Sequence, residues 1–176
     1  MRHFQSNSSP VLLFVLALAC FLFTGGLYAG EPIKVAGKMI INLAREDSVT
    51  ILDTDGHLLS FQIYEGTNAS TGENDFMSGA MARNISFSDM VMGNGINQGY
   101  CEFTLDNDAT VAKWTGKVIT TLKADSTFVT SFEGKFTFIG GIGKFEKISG
   151  GGTFSGGPTA ETTTSIDWQA EYTLEE

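Results

Sequence analysis

Apolar and polar side chains alternate along most of this chain, and that period of two restricts the possible folds more than any other feature. In SFEGKFTF, Phe132, Phe136 and Phe138 share one parity, whereas Glu133 and Lys135 take the other. A period of two with charges on the alternate face is typical of a half-buried antiparallel strand. The same pattern predicts three further inward-facing sets: Ile33, Val35, Met39, Ile41 and Leu43; Ala112, Trp114, Gly116 and Val118; and Ile166, Trp168, Ala170, Tyr172 and Leu174.

The alternating segments are numerous and closely spaced, which predicts an all-β protein built as a single antiparallel β-barrel. No segment keeps a convincing period of 3.6 residues over the length of a helix. Asp55-Gly56 lies between two alternating runs and predicts a tight hairpin. Closure into a barrel of about eight strands avoids the exposed edges of a long open sheet. The predicted strands are 32–44, 48–54, 57–66, 80–92, 98–106, 111–121, 127–139, 150–156 and 164–174.

The N-terminal segment has the three-part layout of a secretory signal peptide. Arg2 precedes the 13-residue apolar run VLLFVLALACFLF, and TGGLYA then offers cleavage after Ala29. An uncleaved membrane anchor is less suitable, because a spanning helix needs about 20 residues. A lipoprotein with its lipid on Cys20 is an alternative, although the apolar run continues past that cysteine. We therefore expect a signal peptide at 1–29, a barrel domain at 30–176, export to the periplasm or the cell exterior, and no membrane insertion after cleavage.

Acidic residues outnumber basic ones, and this balance excludes several classes of partner. The full chain has 20 Asp and Glu against 11 Lys and Arg, which gives a formal net charge of −9. Cleavage after Ala29 removes Arg2 and no acid, leaving 10 basic residues against 20 acidic ones and a charge of −10. So acidic a surface repels phosphate backbones and anionic lipids, and we expect no nucleic acid and no membrane partner. Cys101 would then be the single cysteine, which excludes an internal disulfide and favours a small core residue over a nucleophile.

Glycine and phenylalanine are concentrated in FIGGIGKFEKISGGGTFSGG, residues 138–157. The glycines of GGIG permit a sharp reversal after the preceding strand, because a residue without Cβ adopts positive φ at little cost. We expect Phe145 and Ile148 to plug one end of the barrel, and glycines 150–152 to relieve crowding beside the aromatic rings. The polar segment GTNASTGENDFMSGA, residues 66–80, is predicted to form a loop over one barrel mouth.

The turn GGIGKF, Gly140 to Phe145, resembles the glycine-rich GGTGKF turn of the allene oxide cyclase and dirigent superfamily, with Ile142 in place of the usual threonine. The chain after the signal also looks like exported bacterial members of that superfamily. The resemblance implies a calycin-like barrel of about eight strands and a symmetric homo-oligomer, for which we expect a trimer. The superfamily includes cyclases, proteins that steer radical coupling and barrels without known chemistry. None of its catalytic residues matches a position of this sequence, so the resemblance concerns the fold.

Several chemistries lack the residues that they require. His57 would be the one histidine left after cleavage, and we expect it to be exposed beside the hairpin turn, so a Ser-His-Asp triad is not predicted. No compact cluster of histidine, cysteine and carboxylate residues has the spacing of a metal site. GGIGK follows a strand but does not enter a helix as a phosphate-binding loop does. We therefore expect no metal and no cofactor, and we assign no catalytic residue.

Three charged residues share faces that the alternation predicts to be apolar, and they are the main candidates for a site. Arg83 and Asp89 accompany Ile85, Phe87 and Val91, and Glu65 accompanies Leu59, Phe61 and Ile63. Buried charges are costly unless they are paired, so the simpler interpretation is a bulge that turns Asp89 outward, with Arg83 and Glu65 at solvated strand ends. The alternative is a polar cluster in an apolar barrel mouth, as in many small-molecule sites. Further candidates for that lining are Tyr64, Tyr100 and Trp114, the last of which is equally suited to the core.

Together these features predict an exported barrel that binds a small apolar or aromatic molecule in its mouth. A cofactor-independent cyclase or isomerase of the allene oxide cyclase and dirigent type is the alternative, because such an enzyme needs little beyond a shaped cavity and an acid or base. A purely structural or interaction protein is a further alternative. Convergence of Arg83, Asp89 and Glu65 inside the barrel would favour the enzyme. If these residues point to solvent and aromatic side chains fill the barrel, we expect neither binding nor catalysis there.

Overall fold

The computed structural model describes residues 30–175, which form one closed antiparallel barrel of eight strands. Each strand pairs with the next along the chain, and the ring closes between the first and the eighth. Apart from the 3-10 turn Gly143–Phe145, this part of the chain contains no helix. The predicted fold class is confirmed, whereas the predicted signal peptide and Cys20 lie outside the described residues. The strands are β1 (Ile33–Thr50), β2 (His57–Ser70), β3 (Met81–Val91), β4 (Asn94–Leu105), β5 (Asp108–Leu122), β6 (Phe128–Ile142), β7 (Ile148–Pro158) and β8 (Thr163–Leu174).

β1 is a single strand of 18 residues where the sequence predicted two. Its pairing with β2 shifts register between Leu43 and Arg45, so one extra residue changes the phase of the alternation. Before the bulge, Met39 and Ile41 are buried as predicted. After the bulge, Glu46 takes the inward position and lines the barrel interior. A bulge within one strand shifts the alternation of apolar and polar residues in the same way as a break between two strands. The sequence therefore predicted two strands where the structure has one.

The inward faces of β1, β5, β6 and β8 are those that the alternation predicts. Trp114 in β5 and Trp168 in β8 are 6% and 5% exposed, and Phe138 in β6 is 6% exposed. The charged neighbours Lys113 and Asp167 lie on the outer surface of the same strands. These four strands therefore supply most of the apolar interior.

β2 and β3 present the faces opposite to those predicted. In β3, Ser86 and Asn84 are 4% and 9% exposed, whereas Phe87 is 46% exposed on the outer surface. Phe87 lies directly across from Phe61 in β2, and their ring centroids are 5.1 Å apart. The apolar sets of both strands therefore lie outside the barrel, and hydroxyl and amide side chains face the interior.

One end of the barrel is closed by residues 71–80, which we call the plug, together with the 3-10 turn. Phe76 in the plug is 1% exposed, and its ring centroid lies 5.1 Å from that of Tyr172 and 5.3 Å from that of Phe145. Phe145 and Ile148 are 2% and 5% exposed, which confirms that they help to close a barrel end. β2 takes up the first part of the segment predicted as a loop, and the rest folds into the barrel instead of lying over it.

Glycine in the late strands makes room for aromatic rings and for neighbouring backbones. A Cβ at Gly134 in β6 would lie 2.5 Å from the ring of Phe154 in β7. At Gly152, the space is taken by the backbone of β8 and not by a ring. Gly143 has a φ of +65° in the turn between β6 and β7, as the predicted reversal requires. The glycine-rich stretch is therefore a barrel corner.

Candidate functional site

The barrel interior contains a cavity of about 410 Å³ above the plug. The turns that follow β1, β3, β5 and β7 surround the barrel end opposite the plug, which we call the mouth. Gly56 and Gly93, in two of these turns, line the cavity together with residues deep in the strands. The cavity thus extends from the mouth into the barrel, and the aromatic side chains do not fill it.

One side of the cavity is formed by rings from β5 to β8, and we call it the aromatic wall. The rings of Trp114 and Phe154 pack edge to face, with centroids 5.7 Å apart and planes at 85°. The rings of Phe136 and Trp168 do the same at 6.4 Å and 79°. Phe132 completes the wall beside Phe154, at 6.3 Å. Since the rings hold one another in place, the wall is formed before any ligand binds.

Each indole of this wall donates its N–H to an asparagine on the early strands. Trp114 Nε1 donates to Asn84 Oδ1 at 2.9 Å, and Trp168 Nε1 donates to Asn68 Oδ1 at 3.0 Å. Asn68 is 1% exposed, and its Nδ2 also donates to two backbone carbonyls of the plug, at 2.9 and 3.1 Å. Both tryptophans therefore have satisfied N–H groups and fixed orientations.

The opposite side of the cavity is a polar wall, formed by hydroxyl and amide side chains of β2, β3 and β4. β3 is four strands away from β7 in the ring of eight, so the two walls face each other. Asn97 Oδ1 is buried and has no hydrogen-bond partner within the described range. In β3, Ser86 Oγ and Ser88 Oγ lie 3.5 Å apart. The residues of the polar wall are Gln62, Asn84, Ser86, Ser88 and Asn97.

Glu46 is the single charged residue among the described residues that line the cavity. Gln62 Nε2 donates to Glu46 Oε1 at 3.0 Å. Burial raises the pKa of Tyr64, and the negative charge of Glu46 raises it further. Burial also raises the pKa of the Cys101 thiol to about 12. Tyr64 and Cys101 are therefore protonated near neutral pH, and the cavity lining has one negative charge towards the mouth.

The structure divides the predicted site residues between the inside and the outside of the barrel. Tyr64 and Trp114 line the cavity, and Trp114 is also part of the packed core. Tyr100 lies on the outer surface of β4 and is 37% exposed. Its predicted place in the lining is wrong because, in antiparallel register, it lies opposite the outward-facing Ile85.

The three charged candidates do not converge inside the barrel. Arg83 lies on the outer surface, with Nη1 3.7 Å from Glu102 Oε2 and Nε 4.0 Å from Glu65 Oε1. The side chains of Arg83, Glu65 and Asp89 are 42%, 56% and 67% exposed. The proposed bulge near Asp89 is wrong as well, since β3 pairs with β2 and β4 without a register shift. Water solvates these charges because the whole face that they share points outward.

His57 is less exposed than the sequence predicted. Its side chain is 15% exposed and lies between Asp53, 2.5 Å from Nδ1, and Asp89, 2.8 Å from Nε2. These two carboxylates raise the pKa of His57, the Asp53 bond most and the Asp89 bond next. Both ring nitrogens contact carboxylates, so neither holds a serine hydroxyl as a catalytic triad requires.

Sequence reasoning missed the polar wall, although a signal for it was present. Tyr64 lies directly opposite Asn84, so a cavity-facing tyrosine implies a cavity-facing asparagine. The three charged residues also marked which face of β2 and β3 was solvated, because an unpaired charge is costly inside a barrel. If Glu65, Arg83 and Asp89 are assigned to the solvent-facing side, and Phe61 and Phe87 are accepted as exposed, the correct inward faces of β2 and β3 follow.

No protein-family model matches the chain, and no curated protein matches it. The likeness to the allene oxide cyclase and dirigent superfamily therefore stays a prediction. Within residues 30–175, no helix is long and apolar enough to cross a membrane. In that same range, no three or more histidine, cysteine, aspartate or glutamate side chains are grouped so that they could hold a metal ion.

Proposed function

We propose that this protein is an exported barrel that binds a small apolar or aromatic molecule through its mouth. The observation that carries the proposal is the open cavity of about 410 Å³ with a preformed aromatic wall. Cavities that bind small organic molecules usually measure about 300–1,000 Å³ and have mostly apolar linings with a few polar groups. Export is supported by the layout of residues 1–29 alone.

The alternative enzyme of the cyclase or isomerase type has less support than binding. The charged residues that would have favoured it, Arg83, Asp89 and Glu65, lie outside the barrel. Among the described residues of the lining, Glu46 is the one carboxylate, and it is bonded to Gln62 at the mouth end. Cys101, with a pKa of about 12, is a poor nucleophile near neutral pH.

Binding can be tested with N-phenyl-1-naphthylamine, an uncharged dye that emits strongly in apolar surroundings. We expect the purified protein to increase and blue-shift the emission of the dye with a saturable, one-site dependence. Ser88→Trp places a large ring in the polar wall near the mouth and should weaken dye binding at least about tenfold, because the ring occupies part of the cavity.

Ser131→Trp is the matched control, because Ser131 lies exposed on the outer surface of β6. It makes the same chemical change outside the cavity and should leave dye affinity within about twofold of the unsubstituted protein. Far-UV circular dichroism checks that both variants keep their strand content. Equal dye binding by the two variants would rule out the barrel interior as the binding site.

A further inference from the structure

We propose that the molecule held in the cavity is a flat, uncharged ring compound with a carbonyl oxygen, and that Asn84 donates a hydrogen bond to that oxygen. This inference rests on the proposed function, because it names the chemistry of the ligand in the same cavity. It comes from comparing two tryptophan–asparagine pairs within one barrel.

In the first pair, the asparagine amide has no capacity left. Asn68 Oδ1 accepts from Trp168, and Asn68 Nδ2 donates to the carbonyls of Phe76 and Met77 in the plug. Asn68 is 1% exposed, so its amide is enclosed by these partners. A buried amide that uses both its oxygen and its nitrogen has a structural role, which here is to hold the plug in the barrel.

In the second pair, half of the amide is unused. Asn84 Oδ1 accepts from Trp114 at 2.9 Å, whereas Asn84 Nδ2 has no acceptor among residues 30–175. Asn84 lines the cavity, and its Nδ2 is not enclosed by protein atoms. The two N–H groups of this nitrogen are therefore accessible from the cavity. An indole N–H can only donate, and its bond therefore fixes the amide with its oxygen towards Trp114 and its nitrogen away from it.

The cross-strand neighbour of Asn84 adds a second donor on the same wall. Tyr64 lies directly opposite Asn84 and also lines the cavity. Burial raises the pKa of Tyr64, so the hydroxyl keeps its proton and can donate near neutral pH. Asn97 Oδ1 on β4 is an acceptor without a partner among the described residues, so the donors are local to the Asn84–Tyr64 pair, and this pair favours a ligand that presents an acceptor at that point of the wall.

Charge decides which acceptor is favoured. A carbonyl oxygen and a carboxylate would both accept from Asn84, but Glu46 is the only charged residue of the described lining and it is negative. The chain as a whole also has a formal charge of −9. The negative charge of Glu46 and the negative net charge of the chain both repel an anion that enters the mouth. A ligand with an uncharged carbonyl therefore suits the cavity better than a carboxylate.

The aromatic wall sets the shape of the rest of the ligand. Trp114 and Trp168 are held by their asparagine bonds, and the phenylalanines between them pack edge to face. The ring of Trp114 adjoins the donor Asn84, and fixed rings beside a donor suit a molecule with an apolar flat face and a polar edge.

Three matched probes test the inference by equilibrium dialysis at pH 8: 9-fluorenone, fluorene, which has a methylene in place of the carbonyl, and 9-fluorenone-2-carboxylate. We expect Asn84→Asp to weaken 9-fluorenone about tenfold and fluorene less than about twofold, because only the ketone loses a hydrogen bond. We expect the carboxylate to bind the unsubstituted protein at least about tenfold more weakly than 9-fluorenone.

Asn97→Asp is the control for added charge, since it places the same carboxylate on the polar wall and leaves Asn84 intact. It should preserve the ratio of ketone to fluorene affinity. Tyr64→Phe is a second variant in case Asn84→Asp fails to fold, and it should weaken 9-fluorenone about threefold without changing fluorene.

The outcomes separate this inference from the proposed function. If Asn84→Asp weakens both neutral probes equally, or if Asn97→Asp lowers the ratio as much, the role of Asn84 as a donor is wrong while binding in the cavity stands. Equal affinity for the ketone and its carboxylate would overturn the requirement for an uncharged ligand. If none of the three probes binds while N-phenyl-1-naphthylamine does, this inference fails and the proposed function stands; if that dye does not bind either, both fail.

Discussion

His57 connects the turn after β1 to the end of β3 through two carboxylates. Its Nδ1 lies 2.5 Å from Asp53 Oδ1, and its Nε2 lies 2.8 Å from Asp89 Oδ1. These bonds raise the pKa of His57 above its ordinary 6.5, the Asp53 bond contributing most. Because the pKa in the folded protein exceeds that in the unfolded chain, the stabilisation is complete below about pH 6.5 and is lost as pH rises through the folded value.

A substitution at His57 should therefore change how stability depends on pH. We expect the urea midpoint of the unsubstituted protein to fall between pH 6 and pH 9, and that of His57→Gln to fall less over the same range. The titration of the imidazole C2 proton by NMR should also give a pKa above 6.5, as the two carboxylate contacts require. Identical pH dependence of the two urea midpoints would contradict a stabilising role for this contact.

The side chain of Asn68 joins the plug to Trp168 from within the barrel, beside the backbone bonds and the Phe76 packing that also hold the plug, and its contribution can be tested at the level of this element. Asn68 bonds to Trp168 and to two plug carbonyls. Asn68→Ala leaves these groups unpaired in the barrel, and we expect it to lower the free energy of unfolding by about 2–4 kcal/mol. Urea denaturation monitored by tryptophan fluorescence measures the loss.

Asn42→Ala is the comparison for this prediction, because Asn42 is exposed and accepts one bond from Thr163. It should cost less than about 1 kcal/mol, since water replaces that bond. Equal losses for the two variants would show that the plug is not held by the Asn68 amide.

The sequence predicts the inward face correctly for some strands and incorrectly for others. The difference depends on whether the part of the interior that a strand lines is apolar or polar. In β5 and β8, apolar side chains face the core and charges face water, so alternation gives the correct inward set. In β2 and β3, Phe61 and Phe87 face water while Asn84 and Ser86 face the cavity. Alternation identifies two faces, but it does not say which one is inside when the interior itself is polar.

The candidate site was predicted only in part for the same reason. Tyr64, Tyr100 and Trp114 were predicted as candidates for the lining, and Tyr64 and Trp114 line the cavity whereas Tyr100 does not. Asn84 and Asn97 were missed because an amide in a strand gives no sign of its partner until the register is known. The indole bond of Trp114 crosses 30 residues of sequence, which single-strand patterns do not detect.

At the scale of the whole molecule, the inverted strands leave apolar side chains on the outer surface. Leu59, Phe87 and Ile96 are 38%, 46% and 62% exposed on β2, β3 and β4, and they lie around Asp89, which is between Leu59 and Ile96 in the register. Apolar surface of this kind is often a site of association between proteins. It is compatible with the trimer that the superfamily resemblance implies, which remains a proposal.

Light scattering of the purified protein at micromolar concentration tests the association. We expect a mass three times that of the chain, unchanged over a tenfold dilution, because closed symmetric assemblies stop at a fixed size. A mass equal to one chain would contradict the trimer, and a mass that rises continuously with concentration would indicate non-specific association instead.

The ring of strands also has a consequence for the order in which the protein can fold. Seven of the eight pairings join neighbours along the chain, and each can form soon after its second strand is synthesised. The eighth pairing joins β1 to β8. The free edge of β1 therefore stays unpaired until the 12 residues of the last strand have been synthesised. Until then, the nascent chain carries an unpaired edge and an unfinished enclosure around the plug, and this is the interval in which it is most exposed to aggregation.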